Sequence, residues 1–175
     1  MSRRIALTAV SAIAGFAVGT VGCAPASPNP PPPGPPPDPP QAGASCIGDL
    51  DGALTALPKP ADDLSNRRNL LQCSNGTWQP FLDPYPSSDR WLSTGPVVVL
   101  HGQGRRNPEV KAGGWTATPV TAEARCSAER VDVVSAGRTS APETFSADPG
   151  QPLTLDVSDH LFTVAFSGYC LWQRS

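Results

Sequence analysis

Hydrophobic and polar positions alternate most clearly near the end of the chain. In "LTLDVS", Leu153, Leu155 and Val157 fall on one face. In "FTVAFSGYCLW", Phe162, Val164, Phe166, Cys170 and Trp172 share a face, with Gly168 in step. A period of two marks a half-buried strand, and only Asp159 and His160 need turn between these runs, so they predict a hairpin. In "TAEARCSAERVDVVS", Ala122, Ala124, Cys126 and Ala128 alternate until Val131 and Val133 take over in the opposite phase. A one-residue slip moves side chains to the other face, which predicts a bulge or break near Glu129 and Arg130.

Earlier segments add to the β pattern. "LLQCSNGTWQPF" places Asn75-Gly76 between two apolar runs. That pair suits a type I′ turn, where both central residues need positive φ, and it predicts a hairpin from Leu70 to Phe81. "GPVVVLHG", Gly95 to Gly102, is a continuous apolar run of the kind found in buried strands. A short helix is expected over Asp62 to Leu71. Frequent strands and Pro/Gly turns give the fold class: mainly β, a small disulfide-stapled β-sandwich or open β-barrel.

The first 44 residues follow other rules. Arg3 and Arg4 precede an uncharged run, Ile5 to Val21, which has the form of an export signal and is too short and Gly-interrupted for a spanning helix. Its end, Thr20-Val21-Gly22-Cys23, resembles the lipobox of bacterial cell-envelope lipoproteins, although Thr20 stands where that family usually has an aliphatic residue. The resemblance implies cleavage before Cys23, a lipid thioether on Cys23, and a domain anchored to the outer face of the cell membrane. Ordinary secretion with cleavage after "APA" (Ala24 to Ala26) is the alternative.

Residues 24 to 44 hold eleven of the 22 prolines. Consecutive prolines fix φ and lack N–H donors, so a disordered, extended linker is expected, with a reach of roughly 60 Å at ~3.1 Å per residue. The expected organisation is therefore a signal peptide over 1–22, a lipidated cysteine and proline-rich linker over 23–44, and a globular domain over 45–175.

Cysteine count and charge narrow the setting further. Of five cysteines, Cys46, Cys73, Cys126 and Cys170 remain once Cys23 is lipidated or removed, an even set suited to an oxidising compartment. Cys126 and Cys170 both lie on apolar strand faces and are natural partners, with Trp172 beside them; Cys46 with Cys73 then follows by exclusion. Four cysteines allow three pairings, so this one is a preference. Without Arg3 and Arg4 the chain has 11 basic against 15 acidic residues, a net of −4, which argues against nucleic acid as a partner. Arginine greatly outnumbers lysine, and with the abundant Ala, Gly and Pro this resembles proteins from GC-rich actinobacteria.

Few residues suggest chemistry. "GPVVVLHGQGRRNP" resembles the strand-then-His-Gly-x-Gly segment of α/β-hydrolases, in which backbone N–H groups help form an oxyanion hole. That resemblance would give His101, Gly102, Gln103 and Gly104 a catalytic loop. No downstream serine has the required Gly-x-Ser-x-Gly setting. Asp49 and Asp51 in "GDLDG" lack the rest of a calcium loop and read as a polar turn. Asp156, Asp159 and His160 are too few to expect zinc. No cofactor, metal site or catalytic residue is expected.

"CSNGTWQP" has the Cys-x-x-Gly-x-Trp form found in small disulfide modules, among them complement-control domains, some bacterial pilins and phage adhesion proteins. The resemblance implies Trp78 packed against Cys46–Cys73. Trp91 and Trp115 lie beside expected loops and are candidate binding anchors. The leading expectation is a membrane-anchored, non-enzymatic binding or structural module for an envelope protein or glycan; a small envelope hydrolase using His101 to Gly104 is the alternative.

Overall fold

A computed structural model describes residues 37–46, 48–58 and 68–175. The signal segment, Cys23, most of the proline-rich linker and all but the end of the expected Asp62–Leu71 helix lie outside the described residues. Leu70 and Leu71, at the end of that expected helix, are strand.

The domain is mainly β. After a 3-10 turn at Gly48–Leu50 come β1 (Leu54–Ala56), β2 (Leu70–Ser74), β3 (Thr77–Phe81), β4 (Arg90–His101) and β5 (Gly113–Pro119). Then follow β6 (Ser127–Ser135), β7 (Arg138–Thr139), β8 (Glu143–Ser146), β9 (Leu153–Val157) and β10 (Leu161–Arg174). Their order is β3-β2-β1-β4-β10-β5-β9, with β6 also on β10, and β7 and β8 on β6. β1 and β4 run parallel; the other pairs are antiparallel.

The long strands β4 and β10 form the spine. Along its other edge, β10 pairs with β6 from Leu161 to Ser167 and with β5 from Cys170 to Arg174. The exchange occurs at Gly168, where φ is +87° and the β4–β10 register shifts opposite Gly95, itself at φ +106°. Phe166 and Trp172 show how sharply the strand bends there. Six extended residues would separate them by roughly 20 Å. Their rings instead stack with centroids 3.9 Å apart, because the two halves of β10 fold toward each other and enclose the core. Gly168 permits this approach: a Cβ at that position would lie 2.0 Å from the Arg125 carbonyl oxygen.

Two buried clusters result. The main one contains Trp91, Trp115, Phe166, Trp172 and the Cys126–Cys170 disulfide, with both cysteines fully buried. The smaller one, containing Leu71, Leu92, Leu171 and Trp78, packs around Cys46–Cys73. Adjacent apolar residues such as Trp91-Leu92 and Leu171-Trp172 divide between these clusters, so β4 and β10 are covered on both faces there. Trp78 sits directly across from Cys73 in the β2–β3 hairpin. The turn of that hairpin has Asn75 at φ +52° and Gly76 at φ +76°, the expected left-handed pair. Backbone ties to β3 begin slightly before residue 45: Gly43 N–H donates to the Trp78 carbonyl, and Ser45 bridges Thr77.

Several expected details differ. β9 and β10 do not form a hairpin; β9 pairs with β5, and the 158–160 turn carries the chain away to the spine. Ala122 and Ala124 precede β6 and belong to a turn. Ser127 to Val131 pair residue for residue with Ser167 to Thr163, so no bulge occurs at Glu129–Arg130. The irregularity lies across the ladder at Phe162, turning Leu161 inward and leaving Phe162 only partly buried. Arg130 stays in the core phase because its guanidinium has partners at the margin. It reaches the Asp156 carbonyl and Glu143 (both 2.6 Å) and lies over the Phe145 ring. Finally, the Gly95–Gly102 run is not buried throughout: Val98 and Leu100 face the core, whereas Val97 and Val99 are exposed.

Candidate functional site

The lower end of β4 and the loop after it build the most developed site. His101 ends β4, and residues 102–108 turn the chain so that Glu109 returns beside it. Glu109 N–H donates to the His101 carbonyl at 2.8 Å, and His101 N–H donates to Glu109 Oε2 at 2.8 Å. Within that turn Asn107 adopts φ +56°, a left-handed conformation that asparagine tolerates better than most residues.

The glycines here serve packing. A Cβ on Gly102 would fall 2.4 Å from the Leu161 side chain, and one on Gly104 would fall 2.8 Å from the His160 and Leu161 carbonyl oxygens. Their N–H groups are already engaged: Gly102 donates to Phe162 O and Gly104 to Leu161 O. The Gln103 side-chain oxygen accepts from Ala112 N–H. An oxyanion hole needs free, convergent donors. The His101 to Gly104 segment, the loop named by the hydrolase alternative, is a turn whose glycine N–H groups are bonded to the start of β10.

A charged pair remains beside it. Glu109 is 5% exposed and its carboxylate contacts Arg68 Nη1 at 3.0 Å and His101 Nδ1 at 3.5 Å. Burial raises the Glu109 pKa, opposed by the charges of Arg68 and Arg105 and by the His101 N–H bond. Burial lowers the His101 pKa, assisted by the charges of Arg105 and Arg68. These groups line a cleft of about 720 Å³, whose opposite wall is the loop after β3, including Leu82, Asp83 and Tyr85. Arg105 packs over the Phe162 ring, 4.9 Å from its centroid.

The tryptophans play a different part from that expected. Trp91 lies within β4 and Trp115 within β5, each 1% exposed. Their indole N–H groups donate to Glu109 O and Lys111 O, and Trp172 donates to Ser93 Oγ. A binding anchor requires an accessible ring, so Trp91 and Trp115 are core residues. Trp91 does support the site indirectly, by holding the Glu109 backbone.

The other candidates do not assemble a metal centre. His160 contacts Asp159 at 3.5 Å with both side chains exposed, and no group of three metal-ligating side chains forms among the described residues. Asp49 and Asp51 occupy the turn around Gly48–Leu50. No helix among the described residues is long and apolar enough to cross a membrane.

Sequence reading missed Arg68, Tyr85, Arg105 and Glu109. Only "GRRNPE" hinted at them, as basic and acidic residues crowded after a strand; the opposite wall comes from a segment some twenty residues upstream. No protein family, curated protein or solved structure matches this chain.

Proposed function

We propose that this protein is an exported, lipid-anchored envelope module without enzymatic activity, and that the cleft beside His101 and Glu109 is its ligand-binding surface. The cleft itself carries this reading. It has the volume of a small-ligand site and gathers charged, polar and apolar groups from three separate segments. Lipid anchoring at Cys23 and a proline-rich tether would hold that surface away from the membrane. The envelope setting rests on the lipobox-like sequence and on the two disulfides.

The hydrolase alternative has one favourable observation, the contact between His101 and Glu109. Against it, no serine, threonine or cysteine lines the described cleft to serve as a nucleophile, and the glycine N–H groups are occupied.

Two measurements test the proposal. Cys23→Ala should shift the protein from detergent to aqueous phase or block its processing, since multiple acyl chains anchor firmly. A wild-type protein found in water and beginning at Ser27 would refute anchoring. For binding, tagged full-length protein is incubated with solubilised envelope fractions. Arg105→Glu should abolish capture, whereas Arg138→Glu, the same charge change on exposed β7, should leave it intact. Equal capture by both would refute the cleft assignment.

A further inference from the structure

The charges and surfaces of the cleft specify more than a generic ligand. The described lining holds three guanidiniums, on Arg68, Arg105 and Arg106, against two carboxylates, on Asp83 and Glu109. Both carboxylates are engaged within the protein: Glu109 by Arg68 and the His101 N–H, Asp83 by the Tyr85 N–H at 2.8 Å. Arg68 is correspondingly committed to Glu109. Arg105 and Arg106 thus supply the cationic character available to a ligand, in a chain whose overall charge is negative. The Arg105 guanidinium itself lies over the Phe162 ring, 4.9 Å from its centroid, which restrains it before any ligand arrives.

The facing wall is of another kind. Tyr85 is 61% exposed and flanked by Pro84 and Pro86, and Leu82 is 88% exposed. Prolines on both sides restrict the backbone, so the tyrosine is presented on a stiff loop. An exposed aromatic ring of this kind offers an apolar face together with a hydroxyl. Asn69 and Asn107 also line the cleft, each with an amide able to donate and accept. Amide pairs suit hydroxyl-rich rings, an aromatic face suits their C–H surfaces, and guanidinium forks suit carboxylate or phosphate.

Building on the cleft assignment above, we infer that the ligand is an acidic glycan. A sugar ring would pack on Tyr85, its hydroxyl groups would meet Asn69 and Asn107, and its carboxylate or phosphate would be held by Arg105 and Arg106. The groups of the cleft divide the same way: the sugar ring needs the tyrosine, and the acid needs the arginines.

The test uses calorimetric titration of the detergent-solubilised full chain. Probes are oligogalacturonate, its methyl ester of equal length, and a phosphorylated oligomannose with its dephosphorylated form. The acidic member of at least one pair should bind 10-fold or more tighter than its neutral counterpart, and which pair responds distinguishes carboxylate from phosphate. Arg105→Gln with Arg106→Gln should reduce that affinity by roughly 10- to 100-fold, the range for charge-assisted hydrogen bonds. It should also flatten the salt dependence. Tyr85→Ala should weaken binding while leaving salt dependence unchanged. All three residues lie in loops, and thermal melts of the variants confirm folding. Equal binding of acidic and neutral forms, unchanged affinity in the double arginine variant, or no binding of any probe would overturn the inference. If envelope capture remained sensitive to Arg105→Glu in those cases, the cleft would still bind, but something other than an acidic glycan.

Discussion

Gly168→Ala should be among the most damaging single-methyl substitutions in this protein. Gly168 is where β10 leaves β6 and joins β5, and its φ of +87° lies in a region that side chains rarely adopt. The conformational part of the penalty is about 1–2 kcal/mol. The steric part is larger: the new Cβ would sit 2.0 Å from Arg125 O and 3.3 Å from Cys170 Sγ. Arg125 adjoins Cys126, so relief by backbone movement would pull on the Cys126–Cys170 disulfide and on the fully buried ring stack of Phe166 and Trp172.

A total of about 3–5 kcal/mol is expected, against the ~5–15 kcal/mol that domains of this size hold. Gly137→Ala is the internal control, since Gly137 has φ +73° but nothing within 4 Å of the added methyl. It carries only the conformational part. Urea unfolding followed by tryptophan fluorescence measures both variants. With m between ~1 and 3 kcal/mol/M, Gly168→Ala should lower the midpoint by roughly 0.3–4 M more than Gly137→Ala. Equal midpoints would refute the claim that close packing at the bend of β10, rather than backbone conformation alone, demands glycine.

Other expectations follow from the same geometry. The disulfides close spans of 44 and 27 residues, for which chain entropy gives nearly equal stabilisation, about 4.0 and 3.5 kcal/mol. Cys126→Ala with Cys170→Ala should nevertheless unfold the main core, whereas Cys46→Ala with Cys73→Ala should chiefly expose amides of Gly43 to Ala53 and the β2–β3 hairpin; hydrogen exchange distinguishes them. The folded His101 pKa lies below 6.5, so the unfolded chain binds more protons there and stability must fall as pH drops from 6.5 through the folded value. His101→Gln should remove that slope from a pH series of urea melts. Glu109 has the opposite sign: its pKa is raised above 4.5, so its contribution is present at low pH and lost as pH rises through the folded value. Glu109→Gln should abolish this loss, and an unchanged profile would show that the carboxyl does not titrate in its buried setting. Arg130→Met removes ion pairs to Asp132 and Glu143 at a partly buried position and should cost about 1–2 kcal/mol, with its thermal shift reduced in high salt.

Local patterns in the sequence determined a good part of this protein. The Asn75-Gly76 hairpin was legible because a two-residue turn depends on the φ preferences of its own residues. The inward phase of Val164, Phe166, Cys170 and Trp172 followed from strand periodicity, and pairing of Cys126 with Cys170 followed from that phase. Trp78 facing Cys73 was likewise set by hairpin register. Each of these needs only neighbours in the chain, or a rule about which face is apolar.

What the tertiary structure alone decided involves segments far apart in sequence. Periodicity places Leu155 and Phe162 on faces but does not choose strand partners, so the short 158–160 turn suggested a hairpin where β9 instead joins β5. Arg130 disguised the continuity of β6 because the pattern cannot register Phe145, Glu143 and Asp156 around a charged side chain. Trp91 was ambiguous until the carbonyl of Glu109, eighteen residues on, received its indole N–H; Trp115, bonded locally to the Lys111 carbonyl, was ambiguous until the distant strands of the main core closed around its ring. The cleft is the extreme case. Arg68, Tyr85, Arg105 and Glu109 form no sequence motif; they meet because β2 begins, and β3 and β4 end, on the same side of the sheet, and proximity of that kind is a property of strand pairing.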